Sequence, residues 1–201
     1  DMGVNMAGNC IIDDEVCKEA SRKEIIRRYF KCLCDQKTGG IVKDDRYKLE
    51  LLLNQAGVSV GMRAVEQQAH ACSDKTGGRP AAAIELENGE IITGKTSSLL
   101  GASAAVLLNA LKHLGGLSHA MPLISPIVIE PIQNLKTRHL GNQNPRLHTD
   151  EILVALSICA ATNPAAELAL RQLPKLRGCE AHSSVILSQV DETTFRKLGV
   201  N

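Results

Sequence analysis

Aromatic side chains are nearly missing from this chain, and that scarcity dictates how its core must be built. Tyr29, Phe30, Tyr47 and Phe195 are the whole aromatic set in 201 residues, and tryptophan is absent. Aromatics carry the largest apolar area per residue, so the core here must come from Leu, Ile, Val and Ala. The same scarcity argues against base-stacking platforms and aromatic sugar sites, both of which need flat π surfaces. A chain of this length holds one domain plus a smaller attachment and buries roughly two-thirds of its unfolded surface without a disulfide or metal staple. At 44% hydrophobic and 22% charged it is no disordered chain. Basic minus acidic residues give 23 − 22 = +1, too little field to hold nucleic acid or an anionic membrane. Neither partner is expected.

The cysteines are Cys10, Cys17, Cys32, Cys34, Cys72, Cys159 and Cys179, an odd number without regular spacing. No Cys-x-x-Cys or His-Glu-x-x-His occurs, so we read them as small apolar fillers in a reducing cytoplasm. No metal ligand set and no cofactor is expected. The apolar run Leu99–Leu111 is too short to span a membrane and is interrupted by Ser103 and Asn109. The opening at Asp1 suggests a processed chain or a fragment.

Along the chain, DMGVNMAGNC (1–10) reads as an ordered loop. Asp13-Asp14-Glu15 start a helix that runs to about Lys37, and further helices follow over about 43–55 and 61–73. At Arg79-Pro80 the pattern changes. AAAIEL (81–86) and IITG (91–94) around Asn88-Gly89 predict a hairpin. Ser97 or Ser98 should cap a buried helix that reaches Leu114. Met121–Ser125 reads as a short strand, and helices follow over about 126–139, 149–161 and 163–172. Thr149 and Asn163-Pro164 supply the caps of the last two. Ser183–Leu187 is the last strand, and 191–198 the last helix. The expected fold is therefore α/β with mixed α+β character: a helical segment over 1–78, then a layered α/β domain over 79–201.

Gly89-Glu90-Ile91-Ile92-Thr93-Gly94-Lys95-Thr96 satisfies the phosphate-loop pattern letter for letter. Its β-branched interior prefers an extended strand, which argues against a loop wrapped round an anion. What survives is Lys95, Thr96, Ser97 and Ser98, expected at a helix start, where free N–H groups favour an anion. Gly101-Ala102-Ser103 falls one glycine short of a nucleophile elbow and puts its serine inside the helix. A third group runs from Lys136 to Asp150 and holds Arg138, His139, Asn142, Asn144, Arg146 and His148. Arg138, Arg146 and His148 would share one phosphate with Lys95–Ser98 if the 136–150 loop folds over that segment. His70, His113, His119 and His182 stand isolated and read as surface or satisfied core residues.

Several blocks taken together carry a family resemblance: DMGVNMAGNCIIDDE, LLNQAGVSV, AAAIELENGEIITGKTSSLLGASAAVLLNALKHL, LISPIVIEPIQNLKT, NPRLHTDEILVALS and QLPKLRGCEAHSSVILSQVDETTFRKLG. They resemble the C-terminal part of the bacterial uncharacterised protein family 0371. The resemblance implies a much longer chain whose N-terminal portion carries a Gly-rich, phosphate-loop-like segment. It implies no established activity and no catalytic residue. It also implies a C-terminal subdomain of general cytidine-deaminase shape, a mixed sheet between helices. Zinc deaminases need a His or Cys two residues before a catalytic Glu on the first helix. Ser98–Ser103 offers neither, so the implied shape comes without zinc chemistry.

Two functions follow as expectations. One is the C-terminal part of a cytoplasmic enzyme that binds a phosphorylated or nucleotide-like small molecule against the N-terminal half of its own chain. The alternative is a non-catalytic assembly or regulatory domain that forms a homo-oligomer.

Overall fold

Negative charge opens the first helix, as its sequence predicts. In the computed structural model, which describes residues 13–39 and 43–201, Asp13 accepts a bond from Val16 N at 3.0 Å and caps α1, Asp14–Lys37. The loop expected over residues 1–10 lies outside the described residues. Helix α2 covers Lys43–Ala56. Tyr29 bonds Glu50 and Arg46 bonds Gln36, so partners converge toward the connection and the two helices run antiparallel. The described residues up to Arg63 form one compact unit and residues 64–201 a second.

The second unit opens with α3, Ala64–Lys75, followed by β1, Ala81–Glu85, and β2, Ile91–Lys95. The expected hairpin is present, with Ala83 opposite Thr93. Its turn is longer than a two-residue Asn-Gly link. Gly89 N donates to Leu86 O, Leu86 N donates to Glu90 O, and Gly89 sits at φ 82°. That is a three-residue loop whose last position requires left-handed backbone, which glycine supplies.

Strand β3, Glu180–Ser183, pairs antiparallel with the other edge of β1, giving the order β2-β1-β3. The mixed sheet is thus corrected: all pairings of these strands are antiparallel. Parallel alignment appears instead where residues 199–201 run beside 178–181, with Asn201 N bonding Cys179 O and Ala181 N bonding Asn201 O. The expected strand at 183–187 is displaced toward the N-terminus. Ser184 N closes the ladder on Ala81 O, where β1 begins, so Val185 and Ile186 have no strand to pair with and stay exposed. The strand expected at Met121–Ser125 is absent. Pro122 removes a donor there, and Leu123 and Ile124 are buried without joining the sheet.

As the central strand, β1 is covered on both faces, which explains its unbroken apolar run. Ala83 packs with Val65 and Ala69 of α3, whereas Ala82 and Ile84 join the main core. That core is centred on α4, Ala102–Leu114, and contains Leu107, Leu111, Ile152 and Leu156, each fully buried. Then follow α5, Pro126–Asn134, which passes into a π-helical turn over Leu135–His139; α6, Thr149–Ala160; α7, Pro164–Leu170; and α8, Gln189–Leu198. Among the described residues no helix is long and apolar enough to cross a membrane, and no cysteine is in a disulfide.

Candidate functional site

Helix α4 starts later than its sequence suggests, and the delay creates a turn that meets a distant loop. Gly101, not Ser97 or Ser98, is its N-cap. Ser97 instead closes a local turn, its hydroxyl accepting from Leu99 N at 3.2 Å and Leu100 N at 3.1 Å. Lys95–Ser98 therefore do not stand at a helix start. Lys95 is exposed at the end of β2, and Thr96 N donates to Pro80 O.

The loop after the π-helical turn folds onto this segment. Leu147 N donates to Leu99 O at 2.9 Å and Gly101 N to Leu147 O at 3.2 Å. Arg146 reaches across through Nε to Ser97 O at 2.8 Å, and Gln133 reaches Ser98 O at 3.3 Å. The structure thus brings Ser97, Ser98 and Arg146 together. Arg138 is exposed on the π-helical turn, and no side-chain hydrogen bond or ion pair joins it or Lys95 to that group among the described residues.

Lys136, the first cation of the 136–150 group, turns inward. It is 3% exposed, and its ammonium donates to Arg146 O and to Glu151 Oε2, both at 2.7 Å. The same Glu151 oxygen accepts from His148 N at 2.8 Å, so one carboxylate ties the π-helical turn to the start of α6. Lys136 is consumed as a pin for the Arg146 backbone and is not free to bind a ligand. The π-helical turn itself, closed by Leu140 N on Leu135 O, is the local irregularity that turns Lys136 inward.

His148 and Thr149 meet a partner from far along the chain. Asp191, on the first turn of α8 and 7% exposed, accepts from Thr149 N and Thr149 Oγ1, both at 3.0 Å. It also accepts from Ser188 Oγ at 2.7 Å and pairs with His148 Nδ1 at 3.1 Å. Thr149 is therefore the first residue of α6 instead of its cap, and a carboxylate remote in sequence serves the helix start. Burial pushes the Asp191 carboxyl up. The donors from Thr149, Ser188 and His148 outweigh it and hold the group below its ordinary value.

Beside this dyad opens a cleft of about 450 Å³, lined by Lys136, Asn142, Asn144, His148, Asp150 and Glu151 among others. Apart from Val190, its lining side chains are polar, with charges of both signs. The sequence singles out His148 and Arg146 as candidates but not Ser188, Asp191 or the inward turn of Lys136. Ser188-x-x-Asp191 is a readable helix-start signal, yet it points to local capping only. Among the described residues no three His, Cys, Asp or Glu side chains are grouped to hold a metal.

The phosphate-loop pattern dissolves in this geometry. Its first glycine is the hairpin turn at Gly89. Its second, Gly94, lies against the backbone of α4, where an added Cβ would sit 2.2 Å from Val106 N.

A family model described as Domain of unknown function DUF1846, C-terminal, matches residues 61–201, and its N-terminal counterpart matches residues 1–57. A UPF0371 protein of Corynebacterium efficiens is 54% identical over the full chain, and one of Corynebacterium diphtheriae is 54% identical. A UPF0371 protein of Streptococcus uberis is 51% identical. The chain spans 40% of the length of each of these relatives.

Proposed function

The chain belongs to the DUF1846 family of bacterial UPF0371 proteins, and from that premise we propose that its cleft and the adjoining Arg146 loop together form one wall of an enzyme site for a phosphorylated small molecule. One observation carries this reading. Arg146 is anchored through Nε to Ser97 O, while its two Nη groups make no bond among the described residues. A guanidinium fixed by one nitrogen presents the planar fork that takes two phosphate oxygens at once. Ser97 and Ser98 stand beside it, and the polar cleft adjoins its loop. Lys95 and Arg138 supply further positive charge at the periphery. The remaining wall would come from the portion of the longer relatives that this chain does not include, which is where a nucleotide-like ligand would reach.

Arg146→Ala in a full-length relative should weaken binding of phosphorylated ligands by about ten- to a hundredfold, the loss of one charge-assisted contact. Lys95→Ala should weaken it by only about threefold, as an exposed charge does. Calorimetric titration checks both, with melting temperatures in the absence of ligand nearly unchanged. If both variants bind every tested phosphate compound as the parent does, the site is elsewhere.

The alternative, a homo-oligomerising assembly domain, draws support from α6. Val154 and Ile158, one helical turn apart, are each 59% exposed. Sedimentation of Val154→Glu and Ile158→Glu variants separates the readings, since only an assembly built on that face would dissociate.

A further inference from the structure

We propose that His148 is a proton acceptor, a general base whose free nitrogen Nε2 serves the cleft, with Asp191 as its positioning residue. The inference rests on the reading of the cleft as a ligand site and assigns His148 a role other than anion binding within it.

Hydrogen-bond accounting carries the argument. A deprotonated carboxylate only accepts, and Asp191 is ringed by donors: Thr149 N, Thr149 Oγ1 and Ser188 Oγ. Asp191 N donates to Ser188 Oγ at 3.1 Å, and the Ser188 proton is committed to Asp191 Oδ2 at 2.7 Å. Ser188 Oγ, 3.4 Å from His148 Nδ1, therefore has only a lone pair left to offer that nitrogen. Glu151 N also faces the ring across the start of α6, but its hydrogen is taken by Asp150 Oδ1 at 2.8 Å, and the charged Asp191 Oδ2 at 3.1 Å can only accept, so Nδ1 carries a hydrogen. In the neutral ring Nε2 is then bare.

The side-chain hydrogen bonds of His148 to Asp191 and Ser188 both fall on Nδ1, leaving Nε2 without one among the described residues, and His148 lines the cleft. The ring is held at one end by α8 and at its own backbone by Glu151, so its orientation is fixed before any ligand arrives. The step this arrangement supports is one proton transfer. A ligand or water O–H bond breaks, an Nε2–H bond forms, and the electron pair stays on the oxygen. The positive charge left on the ring lies against Asp191, which keeps its negative charge throughout. Asp191 in turn is held ionised, against its burial, by the donors from Thr149, Ser188 and His148. The other ionisable groups at the cleft are Lys136, Asp150 and Glu151, and Lys136 and Glu151 already neutralise each other.

The test is direct observation of the ring nitrogens in full-length protein carrying nitrogen-15 histidine, followed by acylation with diethyl pyrocarbonate. In its neutral form His148 should show a protonated Nδ1 and a bare Nε2, and it should acylate at Nε2. Inorganic phosphate at about ten times its dissociation constant should slow that acylation about tenfold. Asp191→Asn should release the preference between the two nitrogens, a change that a merely structural Asp191 would not produce. Should that variant fail to fold, the parent protein still decides. A proton on Nε2 of the neutral ring, or a neutral ring that does not acylate, overturns the proposal. A bare, reactive Nε2 without phosphate protection leaves the base in place and removes the phosphate reading.

Discussion

Gly94→Ala is expected to destabilise the second unit by about 3 kcal/mol or more, enough to leave much of the protein unfolded under mild denaturant. A Cβ at this position would meet Val106 N at 2.2 Å, Val106 Cα at 2.5 Å and Ala105 C at 2.7 Å. All three are backbone atoms of α4, so no side chain can swing away and the helix itself must move. That helix carries Leu107 and Leu111 at the centre of the core, and its displacement loses packing on every side. Urea unfolding measures the loss. A stability within about 0.5 kcal/mol of the parent would show that β2 and α4 are not in close contact.

Asp191→Ala is expected to cost about 3–5 kcal/mol, because it strands donors instead of merely deleting a bond. Thr149 is fully buried, and its N–H and hydroxyl would both lose their acceptor. The effect has a pH signature. The folded carboxyl titrates below its unfolded value, so its contribution is fully present above the unfolded carboxylate pKa, about 4, and fades as pH falls through the folded value. The stability gap between parent and variant should therefore be widest near neutrality and narrow in acid. Thermal unfolding of both proteins across that range measures it, and a gap that grows in acid would reverse the assignment.

Local signals in the sequence located the elements better than their limits. Asn88-Gly89 marked the hairpin, and Asn163-Pro164 marked the start of α7, because turn and cap chemistry acts over three or four residues. Ser97 misled for the same reason. Its hydroxyl satisfied nearby N–H groups in a turn before the helix, and nothing local distinguishes that use from a cap. Strand β3 was displaced because its extent is set by where β1 begins, a fact that 183–187 does not encode. The site shows the same division. Arg146 and His148 were legible as a loop rich in polar side chains, but Asp191 lies 43 residues beyond His148. Lys136 reads as a surface cation in any local window. Only tertiary pairing with Glu151 allows its charge to be buried.

The Arg146 guanidinium, beside the cleft, offers the most direct view of the central claim that this wall binds a phosphorylated small molecule. Its side-chain N–H signals can be followed in a full-length relative titrated with inorganic phosphate and then with phosphorylated metabolites. The account predicts a saturable shift of the Nη signals, while the Nε signal keeps the mark of its bond to Ser97 O. Nη signals that stay unmoved while the same ligands bind elsewhere on the protein would contradict it.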